Sequence, residues 1–225
     1  MKTLPAVLLL ALVGTAAVAH ADVAFSFADP APGRQITHIA GGGGTGIISY
    51  DGNTPIVFLV DGTEEGFGAI SFPNARVETV WSIGAASTNL GVTTAPVTGT
   101  FTVYDFTGNV RSDILTGTAP TGTFVRIGAT NSILFSDPQG FNYTAGPALT
   151  ALLAPGRILG GSPSEASFTL TNLSLPEGSS LLGPAGQISS FVADASFSGN
   201  VAVIPAAGPL ALLGLSSLVG LRRRR

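Results

Sequence analysis

The chain has 225 residues, enough for one domain with a substantial core and a short segment at either end. All 13 of its acidic residues fall between positions 22 and 203, where five arginines (34, 76, 111, 126 and 157) leave a formal net charge of −8. So acidic a stretch excludes nucleic-acid binding by phosphate neutralisation, and the lack of cysteine excludes disulfides, thiol catalysis and cysteine metal ligation.

Residues 1–21, MKTLPAVLLLALVGTAAVAHA, have the parts of a secretory signal peptide. Lys2 gives a short positive region, Leu4 to Val18 is apolar, and Ala19 and Ala21 are the small residues a signal peptidase reads. Cleavage is expected before Asp22. The apolar run is short for a permanent membrane span.

Residues 22–203 read as an exported all-β domain. Its first marked feature, GGGGTG at 41–46, lacks the Lys and Ser/Thr of a phosphate loop and is expected to be a hairpin tip. His38, in ITHIA, is expected to be an ordinary sheet residue. PIVFLV (55–60) is continuously apolar, the pattern of a strand buried on both faces. RVETVWSI (76–83) alternates, with Val77, Thr79, Trp81 and Ile83 on one side and Arg76, Glu78 and Ser82 on the other. TFTVYDF (100–106), SFTLTNL (167–173) and FSGNVAV (197–203) alternate likewise, placing Phe101, Val103, Phe168, Leu170, Phe197, Val201 and Val203 inside. Turns are expected at DGN (51–53), DGT (61–63), TGN (107–109), TGT (116–118 and 121–123) and SDPQG (136–140). PALTALLAPG (147–156) predicts one short helix, and LPEGSSLLGPAG (175–186) a loop before the last strands. Turn signals every 8 to 15 residues or so predict an antiparallel β-sandwich, jelly-roll or Ig-like.

Residues 204–225 form a C-terminal segment. From Val201 to Leu221 there is no charge, and six leucines (210, 212, 213, 215, 218 and 221) lie within a length that spans about 30 Å as a helix. Arg222, Arg223, Arg224 and Arg225 follow. Each costs about 2.5–3.5 kcal/mol at a bilayer centre and gains about 1 kcal/mol beside an anionic cytoplasmic leaflet. The cluster is therefore expected to stop export, with residues 22–203 outside and the arginines inside.

A signal peptide, a Ser/Thr/Gly-rich exported domain, a Pro-containing motif, a Leu/Gly-rich span and a terminal arginine cluster together resemble the bacterial PEP-CTERM class of exported proteins. The motif here is Val203-Ile204-Pro205-Ala206-Ala207-Gly208-Pro209. It lacks the glutamate of the Pro-Glu-Pro form and is closer to the Val-Pro-Leu-Pro-Ala variant, with Pro205 and Ala206 matching its end. The resemblance implies a Gram-negative host and recognition by an exosortase, a membrane transpeptidase-like sorting enzyme. It also implies a domain held at the inner membrane in the periplasm, then passed to the cell surface or to an exopolysaccharide or biofilm matrix.

No motif identifies an enzymatic reaction. His38 is the one histidine of the exported stretch, which removes a histidine-rich zinc site, and no Gly-x-Ser-x-Gly elbow accompanies it. Asp51, Asp61, Glu64 and Glu65 lie within fifteen residues on turns and are the candidate calcium ligands, weighed against ordinary solvated turn acids. Trp81 with Tyr50, Tyr104 and Tyr143 is a candidate sugar platform, although Trp81 falls on the apolar side of its strand. The expected role is non-enzymatic, at the surface or in a matrix, with no cofactor. A carbohydrate- or calcium-binding module is the alternative. A hydrolase is the second alternative, though no spacing selects a carboxylate pair.

Overall fold

A computed structural model describes residues 21–28, 35–130, 132–137, 140–183 and 186–206. The domain is all-β and antiparallel. Twelve strands follow one another: β1 (Ala21–Ala28), β2 (Ile36–Ala40), β3 (Gly46–Tyr50), β4 (Ile56–Gly62), β5 (Gly68–Ile83), β6 (Ser87–Asn89), β7 (Val92–Asp105), β8 (Ser112–Ile127), β9 (Ile133–Ser136), β10 (Asn142–Ala145), β11 (Arg157–Ser174) and β12 (Phe191–Pro205).

The ladders close on themselves. From β12 they run through β11, β9, β8 and β7 to β5, then return to β12 either through β3 and β2 or through β4 and β1. The long strands make this possible by changing partner along their length. Along β12, Phe191–Ala193 pair with β2 and Ser196–Val203 with β1. In β5, Gly68–Ala75 pair with β4 and Trp81–Ile83 with β3. β8 holds β10 with Leu115–Thr118 and β9 with Thr123–Val125. A closed set of ladders leaves few free backbone edges, the feature that makes open sheets prone to aggregate.

Strand alternation fills the interior. Phe25, Phe58, Trp81, Phe101, Phe135, Phe168 and Phe197 are all buried, and their rings touch across the ring of strands. Phe101 of β7 lies 5.1 Å from Phe197 of β12, and Trp81 of β5 lies 4.5 Å from Phe168 of β11, centroid to centroid. Each such side chain contributes about 2–3 kcal/mol through burial alone.

Three expectations are corrected. PIVFLV is not buried on both faces: in β4, Ile56, Phe58 and Val60 point inward while Val57 and Leu59 are 43% and 47% exposed. Both TGT triplets lie inside β8 rather than at turns. Gly117 and Gly122 sit where a Cβ would collide with the rings of Phe101 and Phe135, so they are there for packing, not for turning. The helix predicted over 147–156 is one turn, α1 (Pro147–Thr150), because Pro155 and Gly156 end it before a second turn can form.

Candidate functional site

The two ends of the described chain meet at one end of the ring. Ala21 at the head of β1 pairs with Val203 near the end of β12, and Asp22 with Ala202. Val203 also pairs with Leu159 on the other side, Ile204 with Ile158 and Pro205 with Arg157. Val203 is fully buried. Pro205 has no N–H for the ladder, and Ala206 makes the last bond instead, its N–H donating to the Gly156 carbonyl at 2.7 Å. Ala21, Asp22, Val203, Ile204, Pro205 and Ala206 therefore belong to the folded domain. Ala19 of the cleavage site, Ala207, Gly208 and Pro209 of the motif, and Arg222 to Arg225 lie outside the described residues, as does the predicted span beyond Ala206; its first residues, Val201 to Pro205, are strand rather than helix, because they pair with β11. Among the described residues no helix is long and apolar enough to cross a membrane.

The β4–β5 turn packs against this end. Gly66 and Gly68 take positive φ (88° and 73°) to reverse the chain, and the Phe67 ring lies over Gly62, where no Cβ would fit. Of the candidate calcium ligands, Asp61, Glu64 and Glu65 are here. Asp61 accepts bonds from the Thr63 N–H at 3.0 Å and hydroxyl at 2.5 Å, which hold its carboxyl below the usual range. Glu64 accepts the Asp22 N–H at 3.1 Å. Glu65 is buried and paired with Arg157, Nη2 to Oε1 at 2.8 Å. Asp51 stands apart at the opposite end of β4, about 20 Å away along a seven-residue strand. It accepts bonds from the Asn53 N–H and the Thr54 hydroxyl, each at 3.0 Å, and these lower its carboxyl as well. Asp51 and Asp61 thus serve their own turns while Glu64 and Glu65 reach across to β1 and β11, and no group of three metal-type side chains converges among the described residues.

The aromatic platform does not exist as a surface. Trp81 is 1% exposed, and Tyr50, Tyr104 and Tyr143 are each 7% exposed. Tyr143 donates its hydroxyl to the Glu165 carbonyl at 2.8 Å, and burial pushes its ionisation far up. His38 is a core residue. Its Nδ1 bonds the Ser189 carbonyl at 3.0 Å, and its ring stacks on Phe191 at 5.0 Å. A carbonyl only accepts, so Nδ1 carries the proton and Nε2, buried and without a partner, is the bare nitrogen. Burial pushes the imidazole below its ordinary value, with the Ser189 bond opposing. The GGGGTG segment forms the β2–β3 hairpin tip, as expected, with a 3₁₀ turn at Gly42–Gly44. Gly46 has a further task, since a Cβ there would strike His38 Nε2.

Strand register brings together residues that are far apart in sequence. On the outer wall, Ser136, Ser167, Ser198, Ser26, Leu59 and Ser71 line up across six strands. A groove of about 530 Å³ crosses β12, β1, β4 and β5 over Ser198, Ser26, Leu59 and Ser71, and a second of about 340 Å³ continues over Ser167 and Asn200. No cation lines either groove. The alternation of serines was visible along each strand, but their alignment depended on pairings that no short-range signal encodes.

No family model matches the chain, and neither a curated protein nor a solved structure matches it.

Proposed function

We propose that this protein is an exported, non-enzymatic component of a bacterial cell surface or extracellular matrix. On this reading, residues 1–21 are a signal peptide removed before Asp22, and residues 204–225 hold the domain to the inner membrane until an exosortase-type enzyme acts. The observation that supports it best is the pairing of Asp22 with Ala202 and of Val23 with Val201. It places the start of the mature chain and the end of β12 at one end of the ring, so a membrane tail following β12 need not cross the domain. The acidic charge of residues 22–203 suits a soluble outer domain, and the arginines fix the tail on the cytoplasmic side. The expected sandwich belongs to the same proposal. Ring contacts of about 5 Å between opposite walls suit a ring flattened into two layers about 10 Å apart.

Protease shaving tests this reading. Added to intact spheroplasts, protease is expected to remove an epitope on the 107–111 loop but to spare one placed after Arg225. Survival of both until lysis would overturn the proposal.

The outer grooves favour a second reading, an uncharged glycan as ligand. Serine hydroxyls alternate there with an apolar floor of Ala24, Leu59 and Ala69. Binding to neutral polysaccharide that Ser198→Trp abolishes would support it. Equal binding by the variant would remove it.

A further inference from the structure

The start of β1 is held by a side chain where one of its strand partners runs out. The β1–β4 ladder stops at Ala24 opposite Asp61, because β4 ends at Gly62 and the chain turns away. Two residues further out, Asp22 lies opposite Ala202 of β12 on one side. Its N–H faces the other side, where a backbone donor still needs an acceptor, and Glu64 Oε2 accepts it at 3.1 Å. Glu64 has no other partner among the described residues. Its neighbours are committed elsewhere, Asp61 to Thr63 and Glu65 to Arg157. With Arg157 already matched by Glu65, the carboxylates of Asp22, Asp61 and Glu64 leave this end of the ring negative.

We infer that Glu64 is the receptor for the mature N-terminus, binding the α-ammonium that appears on Asp22 when the signal peptide is removed. The inference rests on cleavage before Asp22, as the function proposed above has it. In that step water adds across the Ala21–Asp22 amide and the C–N bond breaks. Ala21 leaves with the signal peptide as a carboxylate. The Asp22 nitrogen keeps its electron pair, takes up protons and becomes an ammonium at neutral pH. One neutral donor thereby becomes a cation with three, on the nitrogen that already faces Glu64. The bond gains a Coulombic part that an amide cannot supply. Cleavage therefore fastens the end of β1 to the β4–β5 turn at the moment when the pairing of Ala21 with Val203 is lost.

Amine labelling tests this cleanly. The one lysine is Lys2, inside the signal peptide, so a chain that begins at Asp22 has its α-amine as its one primary amine. An acylating reagent attacks an amine only in its unprotonated form, and a neighbouring carboxylate keeps an ammonium protonated. The full-length chain, exported and matured in cells, is labelled at pH 7 beside Glu64→Gln, with intact mass locating the N-terminus. Glu64 is exposed, so the variant is expected to fold as the parent does. Labelling about threefold faster in Glu64→Gln supports the inference. Glu177→Gln removes the same charge beyond the opposite end of β11 and should label at the parent rate. Equal rates in the parent and Glu64→Gln, or an equal rise in Glu177→Gln, would overturn the inference and leave cleavage before Asp22 in place. A mature N-terminus at any other residue would overturn both.

Discussion

Phe168→Ala is the sharpest test of the closed, aromatic-filled ring. Phe168 is 0% exposed and its ring meets those of Phe27, Trp81, Phe101, Phe135, Phe141 and Phe197 at centroid distances of 4.5 to 6.5 Å. These partners come from five different strands and, for Phe141, from the residue just before β10, so no single movement can collapse the space left behind. Burying a Phe side chain contributes about 2–3 kcal/mol, of which the alanine retains a part. The cavity and the lost ring contacts add to the remainder, giving an expected loss of about 4 kcal/mol, within the usual range for Phe→Ala. That is a large share of a domain stability of about 5–15 kcal/mol. For a domain of this size the melting midpoint should fall by about 8–16 °C. Thermal unfolding followed by near-ultraviolet circular dichroism reads this directly, with Val80→Ala as the control because Val80 is 71% exposed. If Phe168→Ala costs under about 1 kcal/mol, no more than a surface change, the interior is not packed around this ring.

Other consequences follow from the same geometry. The buried, neutral His38 makes stability acid-sensitive. The unfolded chain takes up a proton below about pH 6.5, while the folded imidazole, with its lowered pKa, refuses it until a more acid pH. Urea midpoints should therefore fall between pH 6.5 and 5, and His38→Gln should flatten that slope; an unchanged slope would refute the assignment. Gly46→Ala drives a methyl into His38 Nε2 and is expected to cost about 1–3 kcal/mol, whereas Gly43→Ala, with open space around it, meets only the backbone cost of a φ of 70°. Arg157→Ala leaves the Glu65 carboxylate buried without its cation and should cost about 2 kcal/mol in chemical denaturation; Arg111→Ala, whose partners Glu78 and Asp113 are half exposed, should cost less than about 1 kcal/mol. Millimolar calcium should leave the melting midpoint unchanged, because Asp51 is remote from Asp61 and Glu65 is committed to Arg157. A rise of several degrees, lost in Asp61→Asn, would show that the turn carboxylates do bind it.

Alternation was a faithful guide wherever one side of a strand faces water. Val77, Trp81, Phe101, Val103, Phe168, Leu170, Phe197, Val201 and Val203 are all buried as their spacing requires. The pattern misled at PIVFLV because hydropathy reports what a residue prefers, not what the fold has available to cover it. Val57 and Leu59 point away from a ring whose inside is already full. Glycine misled for a related reason. Gly117 and Gly122 have the same neighbours as a turn glycine, yet their role is set by Phe101 and Phe135, which reach them through pairings with β7 and β9. The candidate site was legible in its parts and not in its assembly. The acids at 61–65, Arg157 and the Pro-containing segment are each conspicuous, but only register shows that they share one end of the ring.

The pairing of the first strand with the last also orders events in time. Residues 22 and 202 are joined across nearly the whole domain, and closing a loop of that length costs about 4–5 kcal/mol in chain entropy. The return comes from burying Val23, Phe25 and Phe27 against β12, about 2 kcal/mol each, and it arrives only when the facing residues from Phe197 to Val203 are present. A chain stopped short of Val201 would bear the closure cost with part of the offsetting contacts missing. The closed fold therefore becomes favourable only once about the whole of the last strand is available to pair with β1 and β11. Cutting inside β12 would reverse the same balance, for it would take Val201 from beside Val23 and Val203 from beside Leu159 and reopen the ring at the strand that closed it.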